Sequence, residues 1–228
     1  MLTYDFSQFR YSELMLLAKC VIGLGEKCCW LTEKNISEYS AFNIPGGLVG
    51  NGRYNNLNFT VECSPIITDR ELYQRKGGMA VRITATQGPI TVKIGSGLLE
   101  GLLTDCTERE SSVEMCCENG GAYVKNGNVY LESSLHSLCV CISGNFAASI
   151  EKLSDASENY GSYAVLTCEQ SELLFTVGFS QDQEQAESIA ETAASDELDK
   201  VKKYYKEMLD EWYIKTPDPN LNEAFTHA

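Results

Sequence analysis

Between residues 58 and 178 apolar and polar side chains alternate in short runs. Asn58 to Cys63 alternates, Met79 to Ala85 does so again, and Ile90 to Ile94 follows a Thr86-Gln87-Gly88-Pro89 turn. A period of two sends successive side chains to opposite faces of a pleated strand. Val113 to Cys117, Ala122 to Lys125, Asn128 to Leu131, Leu138 to Ile142, Tyr163 to Cys168 and Leu173 to Val177 read as further strands. Asn119-Gly120 and Asn126-Gly127 supply the positive φ that tight hairpins need. The spacing predicts about ten strands in a mainly β, large antiparallel β-sandwich rather than β-α-β units. Ser12 to Ile22 reads as a further, buried strand. Gly46 to Gly52 reads as a glycine-rich mobile loop or turn, because it lacks the Gly-Lys-Ser/Thr ending of a phosphate-binding loop.

After Gly178 the period changes to that of helices. Ser180-Gln181-Asp182-Gln183 reads as a capping box opening a helix with Ala186, Ile189, Ala190 and Ala193 on one side. Ser195 reads as the cap of a second helix, with Asp196 and Glu197 near the positive end of its dipole. Leu198, Val201, Tyr205, Met208, Leu209 and Trp212 form its apolar stripe, and Lys200, Lys203, Lys206 and Glu207 lie opposite. Asp218 reads as an N-cap with Pro219 at the first helical position, where a missing N–H costs nothing. Asn220 with Glu223 offers a second capping-box-like start. The helix opened here has room for about three turns and is too short to stand alone. The expected organisation is a β-domain over 1–178, a helical linker over 179–215, and the truncated start of a following helical domain over 216–228.

Charge narrows the range of partners. The 228 residues carry 18 Lys and Arg against 32 Asp and Glu, a net charge of −14. With no basic cluster, nucleic acid and anionic membranes are not expected partners. No run of about 18 apolar residues suggests a membrane span, and residues 1–6 do not read as a secretory signal. A cytoplasmic location is therefore expected, with the ten cysteines acting mainly as small buried thiols. Cys139-Val140-Cys141 places two sulfurs on one strand face. Without a Cys-x-x-Cys pair, and with only His136 and His227 to draw on, no metal site and no cofactor are expected.

The last fifty-odd residues also carry a resemblance. Phe175-Thr176-Val177-Gly178-Phe179-Ser180, an acidic Ala-rich helix, a helix ending in Trp212, and Lys215-Thr216-Pro217-Asp218-Pro219-Asn220-Leu221-Asn222-Glu223-Ala224-Phe225 follow in order. This resembles the N-terminal region of glycoside hydrolases with an (α/α)6 toroid, especially the glycogen-debranching and amylo-α-1,6-glucosidase-like enzymes. The resemblance implies a super-sandwich domain, a helical linker and the first toroid helix. It implies a domain without catalytic residues of its own, whose partner is its C-terminal (α/α)6 catalytic domain and whose ligand is an α-glucan-like oligosaccharide. The two carboxylates of such an enzyme, roughly 6.5–9.5 Å apart for inversion, would lie beyond residue 228. Related sugar phosphorylases share the linker, so an inverting phosphorylase is the alternative parent. A stand-alone carbohydrate-binding module is a third reading.

Within the chain, Arg53, Tyr54 and Asn55 are the candidate substrate-binding residues. An aromatic ring can stack on sugar C–H groups while guanidinium and amide groups meet hydroxyls, and the resemblance implies a similar Arg/Tyr loop at the cleft. Its usual His after the Tyr is absent here. Glu108 with Glu110, and Asp69 with Glu71, could each present two acids on one strand face. Their polar surroundings instead suggest solvated charges, since a general acid needs a pKa raised by burial. Neither histidine has a nucleophile and acid at readable spacing, and Trp30 reads as core.

Overall fold

A computed structural model of the chain describes residues 4–5, 19–31, 36–44, 46–67, 75–95, 121–132, 139–152, 162–212, 216–218 and 220–222. A six-stranded antiparallel sheet contains β1 (Tyr4–Asp5), β2 (Lys19–Leu24), β8 (Ile90–Gly95), β13 (Ser162–Cys168) and β12 (Ala147–Lys152) in that order, with β3 (Cys29–Trp30) paired to β2. An eight-stranded antiparallel sheet runs β4 (Ser37–Ile44), β5 (Gly47–Tyr54), β6 (Leu57–Ile67), β7 (Arg75–Ala85), β14 (Glu172–Ser180), β11 (Cys139–Gly144), β10 (Asn128–Glu132) and β9 (Gly121–Lys125). Two helices follow, α1 (Gln183–Ala190) and α2 (Ala194–Trp212).

The main core lies between the sheets, and strand parity determines which residues enter it. From β6 and β7 come Phe59, Val61, Met79, Val81 and Ile83; from β14 come Leu173, Phe175, Val177 and Phe179. The six-stranded sheet answers with Ile22, Leu24, Ile90, Val92, Ile94, Ala164 and Leu166. Each large side chain sealed here contributes roughly 1.5–3 kcal/mol of transfer free energy. The molecule is thus a large antiparallel β-sandwich followed by two helices, as the alternation predicts.

The helices form a third layer on the other face of the eight-stranded sheet. Ala186 and Ala190 pack with Tyr130 and Cys141, and Ala194 and Leu198 pack with Ala80. In one row across this face, Tyr123, Tyr130, Cys141, Gly178 and Gly78 stand opposite one another in register. Gly178 is a requirement of the row. A Cβ built there would run into the Ala186 carbonyl oxygen and lie 2.8 Å from the Ala190 nitrogen, so α1 can sit this low only over a bare backbone. The stripe of α2 is borne out at Leu198 and Val201, which are buried, while Tyr205 and Met208 are half-buried. The side chains of Leu209 and Trp212 lie outside the described residues.

Several expectations shift. Residues 47–54 are β5, not a mobile loop. Their glycines meet neighbours: a Cβ at Gly52 would strike the Phe59 ring, and the Gly46 turn (φ 81°) lies under Val201 and Tyr205. Strands β4 and β12 also carry no strong alternation, because both are sheet edges with much of their length exposed. The capping box at Ser180 is overturned. Ser180 pairs with Cys139 as the last residue of β14, and Asp182 is the cap, its Oδ1 accepting the Glu184 N–H at 2.9 Å. Nor does Ser195 cap α2. The Glu197 N–H donates to the Ala193 carbonyl, so the helix starts at Ala194, drawn in by burial of that residue beside Ala80. Ser12 to Ile22 is realised in part as β2; 12–18 lie outside the described residues, as do Val113 to Cys117 and Asn119-Gly120. Asn126-Gly127 turns the β9–β10 hairpin with φ of 55° and 84°.

Candidate functional site

Arg53 and Tyr54 end β5, and Asn55 opens the turn to β6 with a φ of 51°. Asn accepts this left-handed conformation more readily than most residues. Arg53 Nε donates to the Asn55 carbonyl at 3.0 Å, and its Nη1 stands 3.5 Å from Glu38 Oε1. Those two side chains are 42% and 70% exposed, so the pair adds little stability. The Ser37 hydroxyl donates to the Arg53 carbonyl at 3.3 Å. Asn55 is exposed. Tyr54 differs: it is half-buried and packs against the main core. The hairpin therefore presents a guanidinium and an amide outward, with the ring leaning into the sandwich. Asp69, Glu71, Glu108, Glu110, His136 and His227 lie outside the described residues, as does the Trp30 side chain.

A cleft of about 250 Å³ opens where α1 gives way to α2, lined by Ser143, Asn145, Leu174, Glu191, Thr192 and Ser195 among others. Among the described residues of that lining Glu191 is the one carboxylate, whereas glycoside hydrolysis by paired acids needs two. Among the described residues no group of three or more His, Cys, Asp and Glu side chains could hold a metal ion, and no helix is long and apolar enough to cross a membrane.

The helix-covered face holds polar groups that sequence reading missed. The Tyr130 hydroxyl donates to Glu187 Oε1 at 2.9 Å, and Gln183 Nε2 donates to the same oxygen at 2.8 Å. These two bonds hold the Glu187 carboxyl below its ordinary 4.5. Its contribution to stability is therefore complete above that value and is lost as pH falls through the lower folded-state pKa. The Tyr123 and Tyr130 rings stack with centroids 4.9 Å apart. Cys139 and Cys141 do share a face, the one under α1. Burial, foremost, pushes the Cys141 thiol up to about 12, so at neutral pH it is a packed thiol rather than a nucleophile or ligand. A polar residue at an alternation position with apolar partners was the available signal for Tyr130.

Towards the C-terminal end, Thr216, Asp218, Asn220 and Asn222 form a clasp. Asp218 caps the helical turn at 220–222 as expected: its Oδ1 accepts the Asn220 N–H at 2.9 Å, and the Asn222 N–H donates to the Asp218 carbonyl at 3.2 Å. Asn220 is inside the helix and is not its cap. The Asn222 side chain closes the turn on both sides. Its Oδ1 accepts the Thr216 N–H at 2.7 Å, and its Nδ2 donates to the Thr216 carbonyl at 3.0 Å. The Thr216 hydroxyl lies 2.9 Å from both Asn222 Oδ1 and the Asp218 carbonyl oxygen. Each such bond is worth ~1 kcal/mol net. Asn222→Ala removes the bonds of its amide to Thr216, so the Thr216 amide should exchange with solvent at least tenfold faster. Asn222→Asp, which keeps an acceptor and loses the donor, should fall between. Unchanged exchange at Thr216 in Asn222→Ala would show the clasp to be idle.

No family model matches the chain, and no curated protein matches it. Among solved structures, 83% of the chain is similar to 31% of a bacterial glucoamylase complexed with acarbose, at 12% identity and a TM-score of 0.48. Likewise, 82% of it is similar to 27% of a putative kojibiose phosphorylase from human microbiome, at 10% identity and a TM-score of 0.41. The chain spans less than a third of the length of each of these solved chains.

Proposed function

We propose that the chain is the non-catalytic N-terminal β-super-sandwich domain of a glycoside hydrolase acting on α-glucan-like or related oligosaccharides. Residues 1–178 are the domain, 179–215 its linker and 216–228 the start of an (α/α)6 catalytic domain, which is its partner. The observation that carries this reading is the clasped, Asp218-capped helix start that follows the linker helices. Its Leu221 is 47% exposed, as a side chain awaiting a neighbouring helix would be. The order of sandwich, two helices and capped start is also the order of parts in the sequence resemblance. Arg53, Tyr54 and Asn55 would stand at the edge of the sugar cleft, Arg53 and Asn55 meeting hydroxyls and Tyr54 supporting the hairpin from below. The same reading puts the protein in the cytoplasm, in keeping with Cys63, Cys141 and Cys168 as thiols.

The test compares the 228-residue chain alone with the chain joined to the (α/α)6 domain proposed to follow it, the longer protein, on maltooligosaccharides and a branched glucan. The chain alone should give no turnover, and the longer protein should hydrolyse without phosphate. Arg53→Ala should weaken oligosaccharide affinity of the longer protein several-fold at unchanged thermal stability. Strict dependence on phosphate would move the parent to the sugar phosphorylases. Glycan affinity of the chain alone, lost in Tyr54→Ala, would make it a stand-alone binding module. Turnover by the chain alone would end the proposal.

A further inference from the structure

Where α2 covers the eight-stranded sheet, the sheet is charged. Glu62 and Arg82 stand opposite each other in register, and Arg82 in turn faces Leu174, two residues from Glu172. Arg82 Nη1 is 3.3 Å from Glu62 Oε2, and Arg82 Nε is 3.2 Å from Glu172 Oε1. These three groups sum to one negative charge. Glu62 is only 8% exposed, and its Oε1 is sealed from solvent without a hydrogen bond of ordinary geometry among the described residues. Lys202 of α2 supplies the missing cation, its Nζ 2.5 Å from that Oε1. With it the four-group network is neutral.

Apolar, short-range contacts also hold α2. Ala194 and Leu198 rest on Ala80 and Leu174 near the start of the helix. Further on, Val201 and half-buried Tyr205 lie over the Gly46 turn. Such contacts seat a helix without fixing its angle, because dispersion and burial are non-directional. A sealed carboxylate is different. A helix that turns while still lying over Glu62 takes its second cation away, and an uncompensated buried charge is costly.

We infer that Lys202 is a positioning residue, the pin that fixes the angle of α2 on the sandwich and hence the direction in which the chain leaves Trp212. This holds whichever sugar, or none, the protein handles. The expected behaviour separates pinning from plain packing. Hydrogen–deuterium exchange of the 228-residue chain would be measured at amides 203–212 and, as an internal check on folding, at those of β7 and β14. Lys202→Gln should raise exchange at 203–212 at least tenfold and leave β7 and β14 protected. Lys202→Arg should restore the wild-type pattern. Glu62→Gln with Lys202→Gln should be closer to wild type than Lys202→Gln alone, because no buried charge then needs a cation. The inference is overturned if Lys202→Gln exchanges like wild type, or if the double variant is as loose as the single one.

Discussion

Gly178→Val should lower the unfolding free energy by about 3 kcal/mol or more, the upper end of what overpacking costs. The conflict begins at the first carbon. A Cβ there meets the Ala186 carbonyl oxygen, the Ala190 nitrogen and, at 3.0 Å, the Ile189 Cβ. All belong to α1, and two are backbone atoms that cannot rotate aside. The helix must rise off β14, which opens the Ala186, Ala190, Tyr130 and Cys141 cluster. Gly178→Ala should already incur most of the loss. Gly127→Ala is the contrast: nothing lies within 4 Å of a Cβ there, so only the positive φ is disturbed, at a cost of ~1 kcal/mol. Urea unfolding followed by far-ultraviolet circular dichroism would rank the three variants. A Gly178→Val protein within about 1 kcal/mol of wild type would mean that α1 is not held against this strand.

The second large effect is loss of stability in alkali. Burial, foremost, lifts the Cys63 thiol from 9.0 to about 11, with the Glu62 carboxylate adding to the rise and the Leu48 backbone bond opposing it. Cys141 goes from 9.0 to about 12, again chiefly through burial, with the Tyr130 hydrogen bond opposing. Burial and the bond to Glu187 also hold the Tyr130 phenol above its ordinary 10. In each case the folded state keeps its proton longer than the unfolded chain does. Stability is therefore complete below pH 9, where both states are protonated, and drains away as pH rises towards 11–12. The two thiol gaps correspond to roughly 3 and 4 kcal/mol, together comparable to the roughly 5–15 kcal/mol that holds a domain folded. Urea midpoints measured from pH 7 to 11.5 should fall steeply above 9. The Cys63→Ala and Cys141→Ala proteins, though less stable at pH 7, should show a flatter decline. An alkaline slope untouched by either substitution would place the titrating groups elsewhere.

Legibility in the sequence followed the range of the forces involved. Strands β6, β7, β8, β13 and β14 are readable because each alternates between a packed face and a covered or wet one. The β9–β10 turn is readable because Asn126-Gly127 meets a purely local steric demand. The cap at Asp218 is readable for the same reason. Strand β5 is hidden because its glycines answer to the neighbouring strand, Gly47 to the Cys63 carbonyl oxygen and Gly52 to the Phe59 ring, rather than to an alternating pattern of their own. Ser180 has the composition of a cap, but its backbone is already committed to the ladder with Cys139. Of the candidate sugar-contacting residues, sequence reading could choose Arg53, Tyr54 and Asn55 by chemistry. Which of them faces outward depends on the register of β5, and Tyr54 leans on the core.

Local pattern alone thus settled that this chain is a strand-rich sandwich closed by two amphipathic helices and a capped turn, because periodicity, turn sterics and caps act over a few residues. Only the tertiary structure decided that the helices lie on the outer face of the eight-stranded sheet, with Gly178 as the seat of α1. It also decided that Glu62, Arg82, Glu172 and Lys202 form one neutral group. Those outcomes depend on strand order, register and the volume left between layers, and pairing across more than a hundred residues leaves no periodic trace in the chain.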